Sequence, residues 1–165
     1  MANANESDKY THFSNIQVGG SAGGGGIKQG APVAVTDATT YTVLAKNSGK
    51  LHVMPDLTAD CTITLPAAER GVSIKLMYGG AAADAQDWII NTADATELFK
   101  GGVVHLDNDA GAAGIEVVAV YADFSNDDTL TVLTPEVGTM VELVSDGTSW
   151  YLNGTVVSAS APTLA

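Results

Sequence analysis

Three histidines, one cysteine and two acidic clusters are the side chains with chemistry to offer in this sequence. The histidines, His12, His52 and His105, lie far apart. A zinc site draws on local pairs of His or Cys, and none of that spacing is present. His52 and His105 sit within alternating segments and read as structural. Cys61 stands in the alternating run Cys61-Thr62-Ile63-Thr64-Leu65, with no histidine beside it to activate a thiolate, so it reads as a core thiol. A lone cysteine excludes an intrachain disulfide. Asp107-Asn108-Asp109-Ala110-Gly111 and Asp123–Asp128 resemble the oxygen-rich loops that hold calcium. Neither is followed by the distal bidentate Glu of an EF-hand; the reading is solvated turns, with calcium the open alternative. Gly49-Lys50 fails as a phosphate loop, because Leu51 follows and Leu44 stands where the first glycine belongs. No nucleophile–base order and no cofactor fingerprint can be assembled. The expectation is a protein without catalysis, bound cofactor or transition metal.

The elements that carry these residues repeat every second position, the spacing of strands buried on one face. Candidates are Tyr41–Ala45, Lys50–Met54, Cys61–Leu65, Val72–Tyr78, Asp87–Asn91, Val103–Leu106, Ile115–Tyr121, Leu130–Leu133, Thr139–Val144 and Ser149–Leu152. Pro55, Pro66, Gly79-Gly80 and Asp146-Gly147 punctuate them. Asp146-Gly147 reads as the turn of a closing hairpin. About ten short strands with regular turn signals predict an all-β body, a β-sandwich or a jelly-roll/β-barrel-like fold. Alternation assigns to its core Tyr41, Val43, Leu51, Val53, Ile63, Leu65, Ile74, Leu76, Trp88, Ile90, Val117, Val132, Val141, Leu143, Trp150 and Leu152. Trp88, Trp150 and Tyr151 read as core anchors rather than ligand-facing aromatics.

The first thirty residues differ from the rest. Gly19–Gly30 contains almost nothing that can bury apolar surface. The predicted organisation is therefore an extended glycine-rich N-terminal arm (1–32), an all-β body (33–157) and a C-terminal tail (158–165). The 165 residues carry a net charge of −12, and the charges of residues 1–30 cancel, so the excess acid lies on the body. Such a body repels phosphate backbones, which argues against nucleic-acid binding. The start of the chain has neither a basic segment nor an apolar run, and no stretch approaches membrane-spanning length. The expectation is a chain made in a cytoplasm, with no membrane partner.

Two stretches resemble a known module. Ala59-Asp60-Cys61-Thr62-Ile63-Thr64-Leu65-Pro66 and the closing Val141-Glu142-Leu143-Val144-Ser145-Asp146-Gly147-Thr148-Ser149-Trp150-Tyr151-Leu152 are similar to a β-domain of tailed-bacteriophage virion proteins. That module occurs in capsid decoration (cement) proteins and in tail-fibre or other accessory virion domains. The resemblance spans Tyr41 to Gly154, about two-thirds of the chain. It implies a structural protein on the outer capsid surface, assembled in the host cytoplasm, a homotrimer contacting the major capsid protein or other virion subunits. Long fibres carry repeated shaft segments and this chain has no such repeat, which favours decoration. The alternative is a tail-fibre, spike or host-recognition protein that binds carbohydrate. In the decoration reading the arm is the tether. Tyr10, Phe13, Ile16 and Val18 are its sizeable apolar groups before the glycine run. Gly23, Gly24, Gly25 and Ile27 follow, where small residues let a backbone lie close to another surface.

Overall fold

The computed structural model describes residues 30–109, 116–123 and 125–165. Twelve strands run through them: β1 (Val33–Ala34), β2 (Thr40–Thr42), β3 (Leu51–Met54), β4 (Cys61–Thr64), β5 (Ser73–Tyr78), β6 (Trp88–Asn91), β7 (Phe99–Asp107), β8 (Glu116–Tyr121), β9 (Thr129–Val132), β10 (Met140–Ser145), β11 (Trp150–Ser158) and β12 (Thr163–Leu164). They form a seven-stranded sheet ordered β1-β3-β5-β10-β11-β7-β8 and a five-stranded sheet ordered β12-β9-β6-β4-β2. The fold is all-β and sandwich-like, and its core draws on both sheets.

The chain winds rather than meanders through its first half. Successive strands alternate between the sheets, so β1, β3 and β5 stack in parallel in one while β2, β4 and β6 stack in parallel in the other. Parallel neighbours need a crossover. Here each crossover contains a strand of the opposite sheet. β9 and β10 then return antiparallel to β6 and β5. β7 carries β8 as an antiparallel neighbour and lies parallel to β11.

Alternation places most of the core as the sequence predicts. Ile63, Ile90 and Leu130 lie in one cross-strand row, and Ile74, Leu143 and Leu152 in another. All six are buried, as are Val43, Leu65, Leu76, Val132 and Val141. Trp88 and Trp150 are fully buried, and Trp88 meets the Tyr78 ring at a tilt, with centroids 6.1 Å apart. Tyr41 is half-buried against the cluster.

Four assignments are corrected. In β3 the inward residues are His52 and Met54, not Leu51 and Val53. Register decides this: His52 pairs with Leu76 and Met54 with Tyr78, and paired residues share a face. Val117 is exposed, because its register pairs it with Leu106 on the outward face, opposite in parity to buried Val103 and His105. Tyr151 is half exposed, pointing away from the core between buried Trp150 and Leu152.

Several bounds also move. The first candidate strand ends at Thr42, and Ala45–Asn47 forms a 3-10 turn. β7 and β11 are longer than the apolar runs that announced them, and β1 and β12 were not anticipated. Residues 158–165, read from the sequence as a tail, contribute β12, which pairs with β9.

Candidate interaction surface

Cys61, His52 and His105 are buried within the body, and His12 lies outside the described residues. The Cys61 thiol is buried, and its pKa is raised by that burial and then by the Asp37 charge, the reverse of an activated nucleophile. His52 is buried, with Nδ1 2.7 Å from the Tyr41 hydroxyl. Burial first, and the Lys50 charge second, lower its pKa. His105 is buried at the opposite flank, its Nε2 3.1 Å from both the carbonyl and the hydroxyl oxygen of Ser158.

Described carboxylates of the acidic loops accept local hydrogen bonds. Asp107 Oδ1 accepts the Asp109 amide at 2.9 Å, and Asp123 Oδ1 accepts the Ser125 amide and hydroxyl. These are Asx-type turns, in which the carboxylate substitutes for a backbone acceptor. Asp127 is buried and its carbonyl accepts the Phe99 amide, so this loop anchors the start of β7. Among the described residues no three His, Cys, Asp or Glu side chains are grouped to hold a metal. In the β10–β11 turn, Asp146 Oδ1 accepts the amides of Thr148 and Ser149 and the Thr148 hydroxyl. Those bonds pull its pKa down to about 2. Gly147 sits there at φ +98°, the left-handed region open to glycine.

What remains as a candidate is a surface. At the outward positions of the seven-stranded sheet, Val53, Met77, Met140, Thr155, Val104 and Ala119 lie in a single cross-strand row, fixed by the registers of five consecutive strand pairs. Leu106 and Val117 extend it at one end, paired with each other beside Val157. Val104, Met140, Val144 and Tyr151 are large apolar groups in contact with solvent. Charge is scarce on this face. Lys75 and Glu142 stand opposite each other and bridge at 3.1 Å. Lys100 reaches Asp146 at 3.9 Å and lies over the Tyr151 ring, 5.6 Å from its centroid. The body is strongly acidic, yet this face is close to neutral and mostly apolar. Contiguous exposed apolar surface of this kind marks contact sites.

Sequence reasoning missed this surface because it placed Val53, Val117 and Tyr151 in the core and assigned no role to Met77, Val104, Met140 and Val144. The signal was present as broken alternation: Val103-Val104 in β7, Val117-Val118 in β8 and the Met140-Val141, Leu143-Val144 pairs of β10 are apolar on both faces. The residues assigned from sequence to shell contact, Tyr10, Phe13, Ile16, Val18, Gly23, Gly24, Gly25 and Ile27, lie outside the described residues. No helix among the described residues is long and apolar enough to cross a membrane. The chain matches no family model and no curated protein.

Proposed function

We propose that this chain is a structural accessory protein of a bacteriophage virion, laid on the capsid shell and tethered there by residues 1–32. The observation that carries the reading is the mostly apolar, nearly charge-neutral outer face of the seven-stranded sheet on an otherwise acidic body. A face of that kind is stabilised by removal from water against another protein surface. The module resemblance supplies the class of partner, the shell subunits. Because the face is neutral, attachment rests on apolar and backbone contacts and persists in moderate salt.

The test uses purified particles. Densitometry should count hundreds of copies per particle, as a shell-covering protein requires. Deleting residues 1–30 should leave a folded body that no longer coats shells, and the uncoated shells should rupture at lower temperature. A truncated body that still decorates shells fully refutes the tether.

One feature favours a second reading, host recognition. Tyr151 and Tyr121 are both exposed on this sheet face, on either side of the strand that carries Gly102, with Asn153 in the same row as Gly102. Exposed aromatics around a flat polar patch suit stacking on a sugar ring. Particles that lack the protein and keep their thermal stability, but lose adsorption to the host, would decide for it.

A further inference from the structure

Strand β8, Glu116-Val117-Val118-Ala119-Val120-Tyr121, reads as a strand buried on both faces, an almost unbroken apolar run. Among the described residues its outward face is uncovered, and its inward face is covered only in part, at Val120, which packs against the core. Val117 and Tyr121 on the outward face are 63% and 72% exposed, and Val118, on the inward face opposite His105, is 38% exposed. Its far edge pairs with no strand among the described residues, since β8 ends the sheet order. Natural edge strands are protected by lysine, proline, a bulge or brevity. β8 has six residues, no lysine and no proline, and its register with β7 runs without interruption from Gly102↔Tyr121 to Asp107↔Glu116.

We infer that β8 pairs with β8 of a second copy of this chain, antiparallel across a twofold axis, joining the two seven-stranded sheets edge to edge. Two observations select a second copy as the occupant. The first is length. The other sheet edges, β1, β2 and β12, span two, three and two residues, so β8 is the one described edge that can match the full ladder of another β8. The second is charge: the outward surface of the β7–β8 ribbon carries one charged side chain, Lys100, beside Asp146, so two copies of net charge −12 meet there with less repulsion than over their acidic surface.

A twofold axis normal to the sheet keeps outward side chains on one side only if residues of like parity face each other. Placing Ala119 opposite itself satisfies this. It sets Val117 against Tyr121 on the outward face, a β-branched–aromatic pair, and Val118 against Val120 on the inward face. The contact is twofold, where the virion resemblance implies a threefold. It does not rest on the capsid reading, because it is tested on the protein alone in solution.

The experiment combines light scattering with cysteine cross-linking of the full chain. The native Cys61 is buried and leaves the background clear. Directly opposed strand residues have Cα atoms about 4.5–5.5 Å apart, within disulfide reach, so Ala119→Cys should form an intermolecular disulfide under mild oxidation. Thr64→Cys, on the outer face of the other sheet, should not. Val117→Glu sets a carboxylate into each half of the contact. It should raise the concentration at which dimers form at least about tenfold, with the far-UV spectrum unchanged. A wild-type chain that is monomeric at tens of micromolar overturns the inference. So does a trimer without the Ala119→Cys cross-link, or a dimer that forms equally well with Val117→Glu.

Discussion

The two outer faces of this sandwich are built on the same strand geometry and present opposite chemistry. On the five-stranded sheet, Thr40, Thr62, Ile89, Thr131 and Thr163 form one cross-strand row, and Thr42, Thr64, Asn91 and Thr129 the next. On the seven-stranded sheet the corresponding outward row is Val53, Met77, Met140, Thr155, Val104 and Ala119. Threonine keeps the β-branched shape that suits a pleated surface and adds a hydroxyl that water satisfies. The first face is thus complete in solvent. The second carries interior-type side chains, Val104, Met140 and Val144 among them, that none of the described residues covers. Strand propensity accounts for both faces, whereas exposure to water as the final state accounts only for the threonine face.

If the apolar outer face belongs to contacts outside the chain, its residues contribute little to the fold itself. The neighbours Leu143 and Val144 in β10 test this directly, one buried and one facing solvent. Leu143→Ala should cost about 2–5 kcal/mol in urea denaturation, through lost transfer energy and an unfilled cavity. Val144→Ala should stay within about 0.5 kcal/mol. Comparable losses at the two sites would mean the outer face is part of the folding core, and the contrast between the faces would fail.

An intermediate effect is expected where the β10–β11 turn closes the larger sheet. Gly147→Val should destabilise the body by about 1 kcal/mol or more, because a β-branched residue resists the +98° φ found there. A thermal midpoint equal to that of the parent would show that this turn rearranges freely and does not hold the β10–β11 register.

The sequence made one part of this architecture readable and hid another. Where a strand has polar residues on one side, as with Ser73 and Lys75 against Ile74 and Leu76, parity alone identifies the core face. In β3 parity misleads: Leu51, Val53 and Met54 are apolar on both sides, and the polar His52 looked like the solvent-facing position. Only pairing with Leu76 sends His52 inward, and pairing is a long-range property that alternation does not encode. The same limit hid the parallel winding of β1 to β6, since alternation identifies a strand's faces and not its neighbours. β7 was foreshortened because Gly101 and Gly102 interrupt its apolar run. Added side-chain atoms there would collide with Leu152 and with Val120 and Tyr121, so these glycines mark close strand approach rather than a loop. The apolarity and parity of Val117 look like those of a buried position and so place it in the core, yet it lies on the outward face, where none of the described residues covers it.

His52 gives the seven-stranded sheet a pH dependence that the threonine-faced sheet lacks a counterpart for. Its pKa in the folded body is lowered, while the unfolded chain titrates at about 6.5. Between those two values the unfolded state binds more protons, so stability falls as pH drops below about 6.5, and the loss is complete below the folded value. Carboxylates ordinarily titrate near pH 4, below most of this window. The comparison is therefore with His52→Leu, which should lose less stability between pH 7 and pH 5 than the parent. Parallel pH profiles for the two proteins would assign the dependence to other groups.

The smallest expected effect on stability tests the comparison most sharply. Val104→Thr with Val144→Thr would give the larger sheet the chemistry of the smaller one, and Thr62→Val with Thr131→Val would do the reverse. All four positions are outward-facing, and valine and threonine share shape and strand preference. Each substitution should therefore change stability by no more than about 0.5 kcal/mol. Adhesion should separate the two variants. Retention on a phenyl matrix should fall for the first and rise for the second, and attachment to shells should weaken only for the first. If the first variant attaches as the parent does, the apolar row is not the docking surface. If all four substitutions together restore the attachment that the first pair loses, apolarity alone suffices, and the strand register beneath it adds nothing specific.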